Sequence, residues 1–148
     1  MADLADLYQQ IIIDHNKTPR NKKAIPDATR VAAGDNPLCG DKITLYVKLE
    51  GDTIADVGFQ GSGCAISQAS ASLMTGAVKG KSVADAEKMF RGFHAMVMGE
   101  AGADAPVLGK LAAFEGVKQY PSRVKCANLA WHTLHAALAN AAQPVSTE

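Results

Sequence analysis

The residues that can do chemistry in this sequence are three cysteines and one aspartate. Cys39, Cys64 and Cys126 each lie beside glycine, proline or a predicted helix start, where a thiolate can point away from the backbone. Asp41 follows Cys39 by two residues and offers a fourth donor. Three sulfurs and one carboxylate oxygen match the ligands of four-coordinate zinc. The same side chains are equally suited to part of an iron–sulfur cluster, so both kinds of site stay open.

The spacing of these residues favours a reactive site over a structural one. Structural zinc sites usually contain C-x-x-C pairs that fold small loops around the metal, and this sequence has none. Its candidate ligands come from separate places on a chain that is long enough to fold alone. Thiolates are also nucleophiles that can take up sulfur from another sulfur atom. The alternative is that all three cysteines are small buried apolar side chains.

Composition narrows the class of protein. The chain has 148 residues, with 15 basic and 15 acidic side chains, so its formal net charge is zero. This balance removes any global electrostatic argument for a nucleic-acid partner. No apolar run approaches the roughly 20 residues that cross a membrane, and the acidic N-terminus lacks a signal-peptide pattern. We expect a cytoplasmic protein without a membrane partner, in which an odd number of cysteines indicates metal binding or thiol chemistry.

A β-hairpin is the element that positions the first two cysteines. Residues 42–49 alternate apolar and polar side chains, and residues 53–60 run back with Ala55, Val57 and Phe59 predicted to face the core. A shorter strand is predicted at residues 29–33. Antiparallel pairing brings together Cys39, which lies just before the first hairpin strand, and Cys64, which lies just after the second.

The other candidate site residues lie on or beside predicted helices. Apolar periodicity predicts helices over residues 3–14, 65–78, 82–98 and 123–141, and Pro106 can open a shorter helix through Phe114. Cys64 lies at the start of the second helix, where the free N–H groups and the macrodipole favour a thiolate. Cys126 lies in the first turns of the last helix, and Arg123 is placed to offset the negative charge of the site. Residues 1–148 are expected to form one domain with a polar tail at 143–148.

The four histidines are weaker candidates for metal ligands. His132 and His135 follow Cys126 by six and nine positions, so on a helix they point away from it. His15 and His94 follow or lie on apolar helices. We therefore do not expect a histidine in the site.

The three cysteine motifs, in this order, resemble the U-type iron–sulfur assembly family, which comprises the N-terminal domain of NifU together with IscU and SufU. The resemblance covers nearly the whole chain and includes an N-terminal pair of short motifs. The matching segments are Asp14-His15-Asn16, Pro19-Arg20-Asn21, Asn36-Pro37-Leu38-Cys39-Gly40-Asp41, Gly61-Ser62-Gly63-Cys64-Ala65-Ile66-Ser67 and Arg123-Val124-Lys125-Cys126-Ala127-Asn128-Leu129-Ala130-Trp131.

Two features indicate the SufU branch of this family. IscU-like proteins have a histidine immediately before the third cysteine and a Leu-Pro-Pro-Val-Lys segment there, whereas this chain has Lys125 and no such segment. SufU-like proteins have an insertion between the second and third cysteines, and the extra residues at 99–116 are similar to it.

The resemblance implies an α+β domain in which helices pack over a small antiparallel sheet of about three strands. It implies zinc (Zn2+) held by Cys39, Asp41, Cys64 and Cys126, with Arg123 matching an arginine near that site. It further implies that Cys39 accepts persulfide sulfur from a SufS-type cysteine desulfurase, a pyridoxal-phosphate enzyme, and that the sulfur passes to downstream SUF assembly proteins. The alternatives are a scaffold that assembles and transfers a [2Fe–2S] cluster, and a protein-binding module with structural zinc.

Overall fold

One sheet and four helices make up the described part of this computed structural model, which covers residues 4–37, 40–99, 111, 114, 116–117, 119–139 and 145–146. The fold is α+β, as predicted. In chain order its elements are α1 (Leu4–Lys17), β1 (Arg30–Asn36), β2 (Asp41–Glu50), β3 (Thr53–Ser62), α2 (Ala65–Val78), α3 (Val83–Val97), α4 (Pro121–Leu138) and β4 (Val145–Ser146).

The sheet has the strand order β3-β2-β1-β4. β2 pairs antiparallel with both β1 and β3, which confirms the predicted three-stranded antiparallel sheet. A two-residue parallel strand is added at its edge, because Val145 pairs with Gly34 and Ser146 with Asp35. Part of the predicted polar tail is therefore a short strand beside β1.

A β-bulge interrupts the alternation of β3. Ile54 and Asp56 pair with consecutive residues of β2, so Ala55 has no partner of its own. As a result Ile54 and Val57 are both fully buried, while Ala55 is only partly buried. The prediction that Ala55 faces the core is wrong, because simple alternation along the strand does not allow for the extra residue.

Other element boundaries also differ from the predictions. β1 continues to Asn36, beyond the predicted end at residue 33, because it pairs with β2 along its whole length and Asn36 lies opposite Asp41. α4 begins at Pro121, a residue that the first helical turn tolerates, and ends at Leu138 rather than at residue 141. Most of the short helix predicted from Pro106 lies outside the described residues.

Helices α2 and α4 pack side by side and cover one face of the sheet, while α1 packs on α2 and α3 packs on α4. Small side chains allow α2 and α4 to approach closely, so that Ser70 Oγ donates a hydrogen bond to the Ala127 carbonyl at 2.7 Å. Trp131 is fully buried and stacks on Phe93, with ring centroids 5.1 Å apart. Burying a large apolar side chain contributes about 1.5–3 kcal/mol. The contact between Ser70 and Ala127 holds α2, which follows Cys64, against α4, which contains Cys126.

The outer strand β3 is covered by other parts of the chain. Asn21 has a positive φ of 59°, and its carbonyl accepts a hydrogen bond from the Phe59 N–H at 3.0 Å. Farther along β3, Ile54 donates to the Lys81 carbonyl at 2.8 Å and accepts from the Gly80 N–H at 2.7 Å. The backbone groups of β3 that face away from β2 are therefore paired at both ends. No described helix is both long and apolar enough to cross a membrane.

Candidate metal centre

Three of the four predicted metal ligands lie together. One donor atom from each of Asp41, Cys64 and Cys126 lies within 4.8 Å of the other two. Asp41 is the first residue of β2, Cys64 is the N-cap of α2, and Cys126 is in the second turn of α4. Cys39 lies outside the described residues, so its membership of the site stays a prediction.

The site is buried on most of its sides. Asp41 is 1% exposed and Cys126 is 0% exposed, whereas Cys64 is partly accessible. A buried carboxylate next to two sulfurs is unfavourable unless hydrogen bonds or a cation compensate its charge. The arrangement therefore needs groups that offset the negative charge, and solvent reaches it on the side of Cys64.

Both oxygens of the Asp41 carboxylate are hydrogen-bonded. Oδ1 accepts the backbone N–H of Cys64 at 2.8 Å, and Oδ2 accepts the side-chain N–H of Asn36 at 3.2 Å. Each carboxylate oxygen has two lone pairs, so one hydrogen bond per oxygen leaves room for a cation. The orientation of Asp41 is thus fixed by the protein itself.

Hydrogen bonds also hold the sulfur of Cys126. Its Sγ accepts from Asn36 Nδ2 at 3.5 Å, and its thiol donates to the carbonyl of Ser122 at 3.6 Å. Metal binding requires the thiolate, which has no proton to donate, so the bond to Ser122 is lost in that state, whereas the bond from Asn36 can persist.

Asn36 is the residue of the site that sequence reasoning missed. The sequence singled it out only as part of a motif, and the predicted strand ended three residues before it. The available signal was the pattern of β1: a strand that continues to Asn36 and pairs with β2 places it opposite Asp41.

Gly63 leaves space for the Asp41 carboxylate. A Cβ at this position would lie 2.4 Å from Asp41 Oδ1 and 2.6 Å from Ser67 Oγ, which is closer than real Cβ atoms approach other atoms. The residue before Cys64 is therefore required to be small so that the carboxylate can reach the start of α2.

The cations near the third cysteine are less deeply buried than Asp41 and Cys126. Arg123 is exposed in the first turn of α4, and Lys125 is partly buried. The role of Arg123 as a charge partner stays a prediction.

The histidines make contacts elsewhere. His15 Nδ1 is 2.7 Å from Ser72 Oγ, and His135 Nδ1 is 2.7 Å from Glu87 Oε2. His94 and His132 meet edge to face, with ring centroids 5.5 Å apart. Within the part of the chain that the structure describes, the only group with metal-binding geometry is the one formed by the aspartate and two cysteines.

The donor set fits zinc. Two thiolates and one carboxylate oxygen are ligands that zinc accepts, and a third sulfur, two residues from Asp41, would be the fourth ligand of a tetrahedral set. The close approach of three donors that repel one another when ionised is itself the kind of arrangement that a divalent cation stabilises.

Comparisons with known proteins agree on one family. The model of the NifU-like N terminal domain matches residues 7–127. The zinc-dependent sulfurtransferase SufU of Bacillus subtilis (strain 168) is 46% identical over 138 residues, covering 93% of each chain. The iron–sulfur cluster assembly scaffold protein IscU of Streptococcus pyogenes serotype M1 is 39% identical over 142 residues, covering 96% of this chain and 89% of IscU.

A solved structure matches the same fold. The crystal structure of FiSufU, a SUF-system protein from Fervidobacterium islandicum AW-1, is similar with a TM-score of 0.85 and 41% sequence identity. The match covers 92% of this chain and 99% of FiSufU.

Proposed function

This chain belongs to the family of NifU-like N-terminal domains, and from that premise we propose that it is a zinc-dependent sulfurtransferase for iron–sulfur cluster assembly. It takes persulfide sulfur from a SufS-type cysteine desulfurase. The observation that carries the proposal is the gathering of Asp41, Cys64 and Cys126 within 4.8 Å. The relative named as a zinc-dependent sulfurtransferase, which matches nearly the whole chain, supports it.

The metal ligands in this proposal are Cys39, Asp41, Cys64 and Cys126. Two residues of extended chain span about 7 Å at most, so covalent connection alone keeps the backbone of Cys39 near that of Asp41. When zinc is bound, it keeps the cysteines deprotonated and offsets their charge. We assign the acceptor role to Cys39 because the resemblance of its motif to SufU-like proteins implies that role.

The sulfur-transfer step balances without an added oxidant or reductant. The Cys39 thiolate attacks the terminal sulfur of a persulfide on the desulfurase cysteine. A new S–S bond forms to Cys39, the S–S bond of the donor breaks, and the donor cysteine leaves as a thiolate, as in thiol–disulfide exchange. A proton on the terminal sulfur stays there.

The partners follow from this step. The donor is the cysteine desulfurase, and downstream SUF assembly proteins receive the sulfur in the cytoplasm. Arg123, exposed in the first turn of α4, offsets the negative charge of the site in this scheme. Nucleic acid and membranes have no role in it.

Mass spectrometry tests the proposal. The protein is purified without added metal, its zinc content is measured, and it is then mixed with a SufS-type desulfurase and L-cysteine. Intact mass should show the gain of sulfur, and peptide mapping should place it on Cys39. Cys39→Ala should abolish the gain. Equal sulfur uptake by Cys39→Ala and the wild type would exclude Cys39 as the acceptor. Absence of zinc from the purified protein would contradict the proposal that the protein depends on zinc.

A second function, a scaffold for a [2Fe–2S] cluster, is supported by the IscU relative, whose name describes that role. The same cysteines and aspartate would hold the cluster. Lys125, where IscU-like proteins have histidine, counts against it. Anaerobic reconstitution followed by transfer to an apo-ferredoxin distinguishes the two functions, because a scaffold must hold a stoichiometric cluster and pass it on intact.

A further inference from the structure

We propose that Asn36 is a positioning residue of the metal centre, whose side-chain amide holds Asp41 and Cys126 in their ligand arrangement before the metal binds. This inference rests on the proposed function, because it assumes that these residues bind a metal.

Strand pairing places Asn36 where it can do this. It is the last residue of β1 and lies directly opposite Asp41, the first residue of β2. Residues that oppose each other in an antiparallel pair direct their side chains to the same face of the sheet. Asn36 is 0% exposed, so water does not compete for its amide.

One amide group contacts both ligands. Asn36 Nδ2 is 3.2 Å from Asp41 Oδ2 and 3.5 Å from Cys126 Sγ. A side-chain amide has two N–H donors, so each ligand can receive one of them. Asn36 thereby links the start of β2 to helix α4 across the site.

The carbonyl oxygen of the Asn36 side chain shows why the amide keeps its orientation. Asn36 Oδ1 is buried and has no hydrogen-bond partner among the described residues. A reversed amide would put this oxygen against a carboxylate and a sulfur, which are both acceptors. An unpaired buried carbonyl is unfavourable for folding, so the oxygen of the side chain gives no reason for an amide here. We attribute its presence to the two donors.

The donors have two effects on the site. They reduce the repulsion between the Asp41 carboxylate and the Cys126 thiolate, so the metal-free protein keeps both near the positions that a metal needs. The N–H···S hydrogen bond also withdraws electron density from Cys126. Groups that orient metal ligands in this way typically change metal affinity by 10–100-fold when they are removed.

Metal titration of variants tests the proposal. Zn2+ affinity is measured by competition with a chromogenic chelator for the wild type, Asn36→Ala and Asn36→Leu. The leucine variant keeps the branched side-chain shape with the same number of heavy atoms, leaves no cavity and removes the unpaired carbonyl, so it should fold even if the alanine variant does not. Asn128→Ala is the matched control, because Asn128 is also buried and its Oδ1 also has no hydrogen-bond partner among the residues that the structure describes.

Both Asn36 variants should lose about tenfold or more in Zn2+ affinity, and Asn128→Ala should stay within about twofold of the wild type. With Co2+ as the probe, the sulfur-to-cobalt charge-transfer band of the Asn36 variants should move to lower energy, because the thiolate loses its hydrogen bond. A purely structural role would not move this band. Unchanged affinity and an unchanged band in a folded variant would overturn the inference, whereas a wild type that binds no zinc would instead overturn the proposed function.

Discussion

Asp41 Oδ1 accepts the backbone N–H of Cys64 at 2.8 Å, so a side chain from the first residue of β2 caps the start of α2. Cys64, the N-cap of this helix, makes no capping hydrogen bond with its own side chain. The negative carboxylate also lies where the helix macrodipole is positive. Asp41 is therefore both a candidate metal ligand and a cap of α2, the helix that starts at Cys64.

Replacing Asp41 should separate these two roles. In metal-free protein, Asp41→Ala leaves the Cys64 N–H without its acceptor and should lower the free energy of unfolding by about 1–3 kcal/mol. Asp41→Asn keeps an oxygen that can cap the helix, and Asn36 can turn its amide to pair with the new donor, so the loss should be smaller. Denaturant unfolding measures both. Equal losses in the two variants would show that the capping bond is not the cause.

Gly63→Ala should destabilise the fold and weaken metal binding. The added Cβ would lie 2.4 Å from Asp41 Oδ1, so the carboxylate must move. We expect a loss of about 1–3 kcal/mol in the free energy of unfolding, together with weaker Co2+ binding. Gly76→Ala is the matched control, since no described atom beyond the neighbouring backbone of its own helix would lie within 4 Å of the added Cβ. In the interior of α2, alanine should be neutral or stabilising by up to about 1 kcal/mol. Similar behaviour of the two variants would refute the steric argument.

A close contact between β1 and α4 gives a prediction that needs a double mutant. A Cβ on Gly34 would lie 2.2 Å from Thr133 Oγ1. Gly34→Ala should therefore destabilise the protein by about 1–3 kcal/mol. Combining it with Thr133→Ala should recover part of the loss, since residues in contact are not additive. Thermal or denaturant unfolding of the two single variants and the double variant checks this, and strictly additive losses would contradict it.

The histidines between α3 and α4 should make stability depend on pH. Burial lowers the pKa of His132 below its usual value of 6.5, and the neighbouring His94 and His135 lower it further. His135 in turn contacts Glu87 on α3. The unfolded chain therefore binds a proton at a higher pH than the folded one. The contribution of His132 is fully present above pH 6.5 and is lost as the pH falls through its folded pKa.

The variant His132→Gln should flatten this dependence. We expect the free energy of unfolding of metal-free protein to fall less between about pH 7 and about pH 5 than in the wild type. Metal-free protein is required, because protons also compete with metal for the cysteines. A wild type and a variant with the same slope would mean that His132 is not responsible.

Removing zinc should leave the fold largely intact. The buried apolar cluster extends over the sheet and over α2, α3 and α4, and hydrogen bonds join Asn36, Asp41, Cys64 and Cys126 to one another. Far-UV circular dichroism should therefore change little after chelation. Broad unfolding would instead support a module in which metal binding is coupled to folding.

Much of the fold could be predicted because local patterns and tertiary packing agree. The alternation from Lys42 to Leu49 and the small residues of α2 specify their elements directly. Ala55 could not be predicted correctly, because a bulge depends on how two strands pair and on what the core accepts. The short strand at Val145 likewise exists only because the edge of β1 is available to pair with it.

The candidate site was predicted from residue types, and its hydrogen bonds were not. Cysteines at helix starts and an aspartate near a cysteine are visible in the sequence. The role of Asn36 depends on the exact register of β1 against β2, which the sequence leaves open by several residues. One residue of slip would turn its amide to the opposite face of the sheet.

The covered edge of β3 has a consequence for how this protein meets others. An exposed strand edge is a template on which another chain can add a strand, and such edges promote aggregation. Here the Phe59 N–H is occupied by Asn21, and Ile54 is occupied by Gly80 and Lys81. A partner that docks by strand addition along β3 would first have to displace these segments, so this edge of the sheet is protected against pairing with a second copy of the chain.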